Sequence, residues 1–149
     1  MQDLIQREIT VNASKEKVFN AIVDPNNITS WFPDKVEGDL TVGSIAVFTF
    51  TEHDHKAKVF IEAANPFDYF SYRWVPGGQG SMSDEKDKNT TLVEFILEDA
   101  GEGHTKVILK ESGFASLPPE IAESSFKDNS GGWEYMIGRL ETYIKDDNV

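Results

Sequence analysis

The sequence predicts one α+β domain in which a curved antiparallel sheet wraps around a long C-terminal helix, with two short helices after the first strand. Three observations carry this: a run of segments that alternate apolar and polar residues, a change to helical spacing near the C-terminus, and an early pair of helix signals. The 149 residues fall within the range of a single domain, 1–149, and can bury a core without metal or disulfide staples.

The first strand is Ile5 to Val11, where Ile5, Arg7, Ile9 and Val11 share a face that is mostly apolar. Ser14 then offers a helix N-cap. Val18, Ala21 and Ile22 lie on one side of a short helix that ends at Asp24-Pro25. A second helical turn is expected from Asn27 towards Trp31, stopped by Pro33. A meander of strands follows: Val36 to Leu40, Ser44 to Glu52, Lys56 to Ala64, Tyr69 to Val75, Thr91 to Glu98 and Thr105 to Ser112. Glycines, prolines and charged turns punctuate it, and the last two strands form a hairpin about Asp99 to Gly103. Between Val75 and Thr91 the polar stretch Gln79 to Lys88 has Met82 as its apolar anchor and reads as a mobile loop.

Past Gly113 and Pro118-Pro119 the period becomes helical. Trp133, Met136, Ile137, Leu140 and Ile144 form an apolar stripe, while Glu134, Arg139, Glu141 and Lys145 lie elsewhere on the helix. A sheet that alternates this way and a helix with one apolar stripe bury their apolar faces against each other.

Composition excludes several functions. With no cysteine, the chain has no disulfides, thiolate metal sites or cysteine nucleophile, which fits a reducing, cytoplasmic compartment. Met1 to Val11 has interspersed charges and reads as neither signal peptide nor membrane span, so no membrane insertion is expected. A net charge of −12 disfavours nucleic acid and anionic membrane surfaces and favours neutral or cationic partners.

Catalytic and metal chemistry is weakly marked in the sequence. His53 and His55 have the spacing of two metal ligands on one strand face, but no third ligand is marked, and a hairpin turn accounts for them. His104 sits in another turn. Gly77-Gly78-Gln79-Gly80 follows a strand but precedes a polar loop, so it makes no phosphate cradle. Ser81 and Ser83 have no neighbouring histidine. No catalytic residue, metal site or cofactor is assigned.

The aromatic pattern says more. Phe48 and Phe50 share a face, as do Phe70, Tyr72 and Trp74, and Val93, Phe95 and Leu97 share another, so adjacent strands each turn bulky side chains inward. On Thr105 to Ser112 the inward face carries Val107 and Leu109, and period two then turns Glu111 inward. If instead the strand ends or twists before it, Glu111 reaches solvent. A filled core and a ligand cavity both fit these residues.

Words spread along the chain resemble one family. They are Arg7-Glu8-Ile9, Ala13-Ser14 and Val18-Phe19, then Asp24-Pro25 with Trp31-Phe32-Pro33, Asp39-Leu40 with Val42-Gly43, and Asn65-Pro66. Thr105-Lys106-Val107, Ser112-Gly113-Phe114 and Gly132-Trp133 with Leu140 complete the series. In order and spacing the chain resembles the START-like, or helix-grip, superfamily, in the branch named for the C-terminal domain of the activator of the Hsp90 ATPase. The resemblance implies a space between the sheet and the terminal helix, and hence noncatalytic binding of a small hydrophobic or amphipathic molecule, with a stress-related role. On that reading Trp31, Phe48, Phe50, Tyr72, Trp74, Phe95, Phe114, Trp133 and Ile137 contact the ligand, and Glu111 is its polar anchor. Two other functions stay open, because fold does not fix activity: a module acting on an Hsp90-type chaperone, and a cyclase- or hydrolase-type enzyme.

As the first residue of the apolar stripe, Trp133 should be a core anchor. Trp133→Ala is expected to lower stability by about 3–5 kcal/mol in chemical denaturation. A midpoint near that of the wild type would mean that the helix phase is wrong.

Overall fold

A computed structural model describes residues 3–76 and 89–146, except for the side chain of His53. The predicted loop Gln79 to Lys88 lies outside the described residues. Among the described residues, seven antiparallel strands form one sheet in the order β1-β7-β6-β5-β4-β3-β2. They are β1 (Leu4–Val11), β2 (Lys35–Glu37), β3 (Ile45–Phe50), β4 (His55–Asn65), β5 (Tyr69–Trp74), β6 (Thr91–Gly101) and β7 (His104–Ser112). Helices α1 (Lys15–Val23) and α2 (Pro25–Ile28) follow β1, and α3 (Pro119–Lys145) is the last described element. The architecture is the expected α+β sheet around a terminal helix.

Local chemistry sets the entry to the fold. The Ser14 side chain accepts from the Lys17 amide at 3.2 Å and starts α1. Asp24 ends α1 and caps α2 by accepting from the Asn26 amide at 2.9 Å, with Pro25 in the first helical position. The second turn therefore runs over Pro25–Ile28, two residues earlier than the sequence suggests. Beyond it, Trp31 is buried with its indole N–H donating to the Ala21 carbonyl at 2.8 Å, and Phe32 stacks on Trp31 with ring centroids 5.4 Å apart.

Strand β3 stops at Phe50, before the expected Glu52. Thr51–His53 form a 3-10 turn, and Asp54 takes a left-handed φ of 47°. The Asp34 carboxylate pins this turn, accepting from the Thr51 amide at 2.7 Å and the Thr51 hydroxyl at 2.6 Å. His53 and His55 therefore do not share a continuous strand. Among the described residues, no group of three or more His, Asp or Glu is placed to hold a metal ion.

Helix α3 runs 27 residues, or about 40 Å at 1.5 Å per residue. It buries Ala122, Ser125, Trp133, Ile137, Leu140 and Ile144, four of which belong to the predicted stripe, while Met136 is half-buried. Its first half is tied down separately. Phe126 meets Phe114 edge to face at 5.2 Å, and Arg7 of β1 donates to the Ser130 hydroxyl at 2.7 Å and carbonyl at 3.1 Å. No helix among the described residues is long and apolar enough to cross a membrane.

Gly131 lies inside α3 with open space where a Cβ would be. Glycine is a poor helix former, so Gly131→Ala is expected to stabilise the fold by about 0.5–1 kcal/mol. Thermal unfolding would then shift upward by about 1–4 °C; a downward shift would mean that α3 is not helical at this point.

Candidate functional site

Glu111 lies near the end of β7, opposite Ile5 of β1 and Val93 of β6. The strand keeps its register to Ser112, so the alternation that buries Val107 and Leu109 also turns the Glu111 side chain inward, where it is 0% exposed. A carboxylate in that position is strongly destabilising unless its oxygens are occupied. Both are. One oxygen, Oε1, accepts from the Trp133 indole N–H at 2.7 Å and the Asn129 amide at 2.9 Å. The other, Oε2, accepts from the Trp74 indole N–H at 2.9 Å, the Thr91 hydroxyl at 2.5 Å and the same Asn129 amide at 3.2 Å. These donors come from β5, β6 and α3.

Electrostatics at the site are a contest. Burial raises the Glu111 pKa above the ordinary carboxylate range, and the bonds from Thr91, Trp74, Trp133 and Asn129 pull it back down without cancelling the rise. Tyr72, two residues before Trp74 on β5, is fully buried. Its hydroxyl finds no partner among the described residues, and its pKa is pushed far upward by burial first and by the Glu111 charge second.

Beside this carboxylate, where the sheet meets α3, a cleft of about 470 Å³ opens. Phe32, Phe50, Trp74, Trp133 and Met136 supply its apolar lining, and His55, Asp128, Asn129 and Gly132 complete it. Asn129, Gly132, Trp133 and Met136 occupy i, i+3, i+4 and i+7 of α3, so one helix face forms one wall. His55 lies at the start of β4, with its ring stacked on Phe50 at 6.2 Å.

Of the residues expected from sequence to contact a ligand, the structure brings Phe50, Trp74 and Trp133 together on the cleft wall and sets Glu111 immediately behind the two indoles. Trp31, Phe48, Tyr72, Phe95, Phe114 and Ile137 are in the buried core and do not line the cleft. Trp31 and Trp133 both pack edge to face on Phe95, at 6.2 and 6.0 Å, and Phe48 packs on Tyr72 at 5.9 Å. Phe32, His55, Asp128, Asn129, Gly132 and Met136 were not singled out as site residues. Helical spacing from Trp133 could have found Asn129 and Met136, whereas Phe32 and His55 reach the cleft by tertiary folding alone.

A comparison with family profiles matches residues 12–145 to the family described as Activator of Hsp90 ATPase homolog 1-like protein. The chain belongs to this family. As a member of the Activator of Hsp90 ATPase homolog 1-like family it has the START-like, helix-grip fold, and solved structures agree. DynU16, from the dynemicin biosynthetic locus, superposes with a TM-score of 0.76 at 20% identity, over 97% of this chain and 48% of DynU16. The chain thus spans about half the length of that protein. MLL2253 from Mesorhizobium loti gives 0.77 at 20% identity, over 96% of this chain and 97% of the other. The Aha1 dimer from Colwellia psychrerythraea gives 0.70 at 19%, over 95% and 96%. Identities this low establish the fold alone. No curated protein matches the chain.

The Glu111 geometry sets the sign of two substitutions. Glu111→Leu removes the acceptor of two buried indole N–H groups and a hydroxyl, so it is expected to destabilise by about 2–5 kcal/mol at neutral pH. This reverses the gain in stability that leucine would bring if burial of the charge were the larger effect. Glu111→Gln keeps one acceptor but turns an amide N–H₂ toward other donors, for a loss of about 1–3 kcal/mol. Because the folded pKa is raised above the ordinary 4.5, the proton-linked stability is fully present below 4.5 and lost as pH rises through the folded value. The stability difference between wild type and Glu111→Gln should therefore fall over that interval. A flat difference, measured by denaturant unfolding from pH 4 to 8, would show that Glu111 is solvated.

Proposed function

We propose that this protein is a noncatalytic binder that takes a small hydrophobic or amphipathic molecule into the cleft between the sheet and α3. The observation that carries the reading is the cleft: about 470 Å³, walled by Phe32, Phe50, Trp74, Trp133 and Met136, with polar groups from His55, Asp128 and Asn129. That volume and lining are typical of sites for small organic ligands. The noncatalytic reading rests on Glu111, whose two oxygens are already engaged by five hydrogen bonds and so are poorly placed to exchange a proton with a ligand. A cysteine-free chain fits a cytoplasmic setting, and a stress-related role is carried by the family resemblance alone.

A second reading, action on an Hsp90-type chaperone, is favoured by the family match over residues 12–145. Stimulation of a purified chaperone's ATPase that persists when the cleft is blocked would favour it over ligand binding.

Gly132 provides the blocking variant. It lines the cleft from α3, and a Cβ there would meet no atom within 4 Å. Gly132→Leu should therefore leave the fold as stable as wild type or stabilise it by about 1 kcal/mol through helix propensity. Binding of the neutral fluorophore N-phenyl-1-naphthylamine should weaken about tenfold or more in this variant. Unchanged affinity would place the fluorophore elsewhere, and no binding by wild type, of this probe or of any lipid or polyketide screened by native mass spectrometry, would sink the reading.

A further inference from the structure

The geometry points to an organic cation as the ligand class of this cleft: an apolar body carrying an ammonium centre, seated against Trp74 and Trp133. This inference rests on the reading of the cleft as a ligand site and narrows it. Both indoles spend their N–H groups on the same carboxylate, at 2.9 and 2.7 Å from Glu111, so what they leave for the cleft is ring carbon. The two rings lie 6.0 Å apart, inclined by 34°, with Phe50 6.5 Å from Trp74 and Phe32 5.0 Å from Trp133. A cation is drawn to the electron-rich face of an aromatic ring, most strongly to tryptophan. An indole whose N–H donates to a carboxyl oxygen has a more electron-rich ring than a free indole, and two such rings here donate to the Glu111 carboxyl group.

Among the described residues, the carboxyl groups nearest the cleft are those of Asp128 and Glu111. Asp128 stands at its lining, Glu111 lies behind it, and no Lys or Arg is among the lining residues described. The chain as a whole carries −12, a field that concentrates cations and repels anions. The carboxylate itself is not the contact. Its lone pairs face five hydrogen bonds, so a ligand reaching it would have to break the tie between α3 and the sheet. The cation would instead meet the small part of the indoles left open to the cleft, 8% of Trp74 and 3% of Trp133 being exposed, with Asp128 also on the lining.

Three phenols that share one outline separate charge from shape: (4-hydroxyphenyl)trimethylammonium, the uncharged 4-tert-butylphenol, and 4-hydroxybenzenesulfonate. Titration calorimetry at pH 7 with the full chain should show the ammonium compound binding about tenfold more tightly than the tert-butyl compound, with the sulfonate weakest. Equal or tighter binding of 4-tert-butylphenol would overturn the cation inference and leave the apolar cleft standing. If none of the three binds, or all bind Gly132→Leu as well as wild type, both readings fail for these probes. The exposed Asp128→Asn substitution locates the effect: a preference that survives it supports the ring faces, and one that vanishes overturns their role in favour of rim charge.

Discussion

The tie between Glu111 and its four donor side chains is the constraint on which the arrangement of sheet and helix depends. Hydrophobic burial alone would let α3 roll on the concave sheet, because an apolar stripe against an apolar surface has many near-equal packings. A carboxylate with directional partners does not allow this. Its oxygens meet Trp74 of β5, Thr91 of β6, and both Asn129 and Trp133 one helical turn apart on α3. Any rotation of α3 that removed Asn129 or Trp133 would leave a buried charge short of donors and buried indoles short of an acceptor. Each such loss costs more than the bond contributes when made.

Around that tie the aromatic side chains fall into two sets with different work. Trp31, Phe48, Phe70, Tyr72 and Phe95 are fully buried or nearly so and fill the space between the strands and α3. Phe32 joins this set to the other, since its ring lies within 6.0 Å of Trp31, Phe48, Phe50, Trp74 and Trp133. Phe50, Trp74 and Trp133 meet the core on one side and the cleft on the other. Edge-to-face and tilted ring contacts of this kind fix ring orientation as well as burial, so the cleft wall is held by the same packing that stabilises the fold.

The strands were legible because period two is a local property: the faces Val107-Leu109-Glu111 and Phe70-Tyr72-Trp74 follow from alternation alone. The long helix was legible where its stripe was apolar, from Trp133 to Ile144. Its first half was less so, because Ser124-Ser125 and Asp128 to Gly132 are weak helix formers. Tertiary contacts hold that half in place, including Phe126 on Phe114 and Ser130 on Arg7. The turn at Thr51–His53 depends on Asp34, 17 residues upstream, and no reading of the turn itself would find it. The partners of Glu111 lie 18 to 37 residues away on other elements. Alternation could place the carboxylate inside, but it could not say that five hydrogen bonds await it there.

That distinction changes what a buried acid implies. An inward carboxylate inferred from alternation looks like a ligand anchor, because unpaired it would need a guest to satisfy it. Saturated by indole, amide and hydroxyl donors, it no longer needs one, and its effect passes to the rings that donate to it. The Trp74 and Trp133 N–H groups are committed inward to Glu111, so what these rings can offer the cleft is carbon. On the proposed reading, a ligand covers that carbon and carries a sign opposite to the nearby carboxyl groups, without displacing any bond of the tie. On that reading binding and folding share Trp74 and Trp133 but use different parts of them: the N–H edge orders the fold, and the ring carbon is left for a guest.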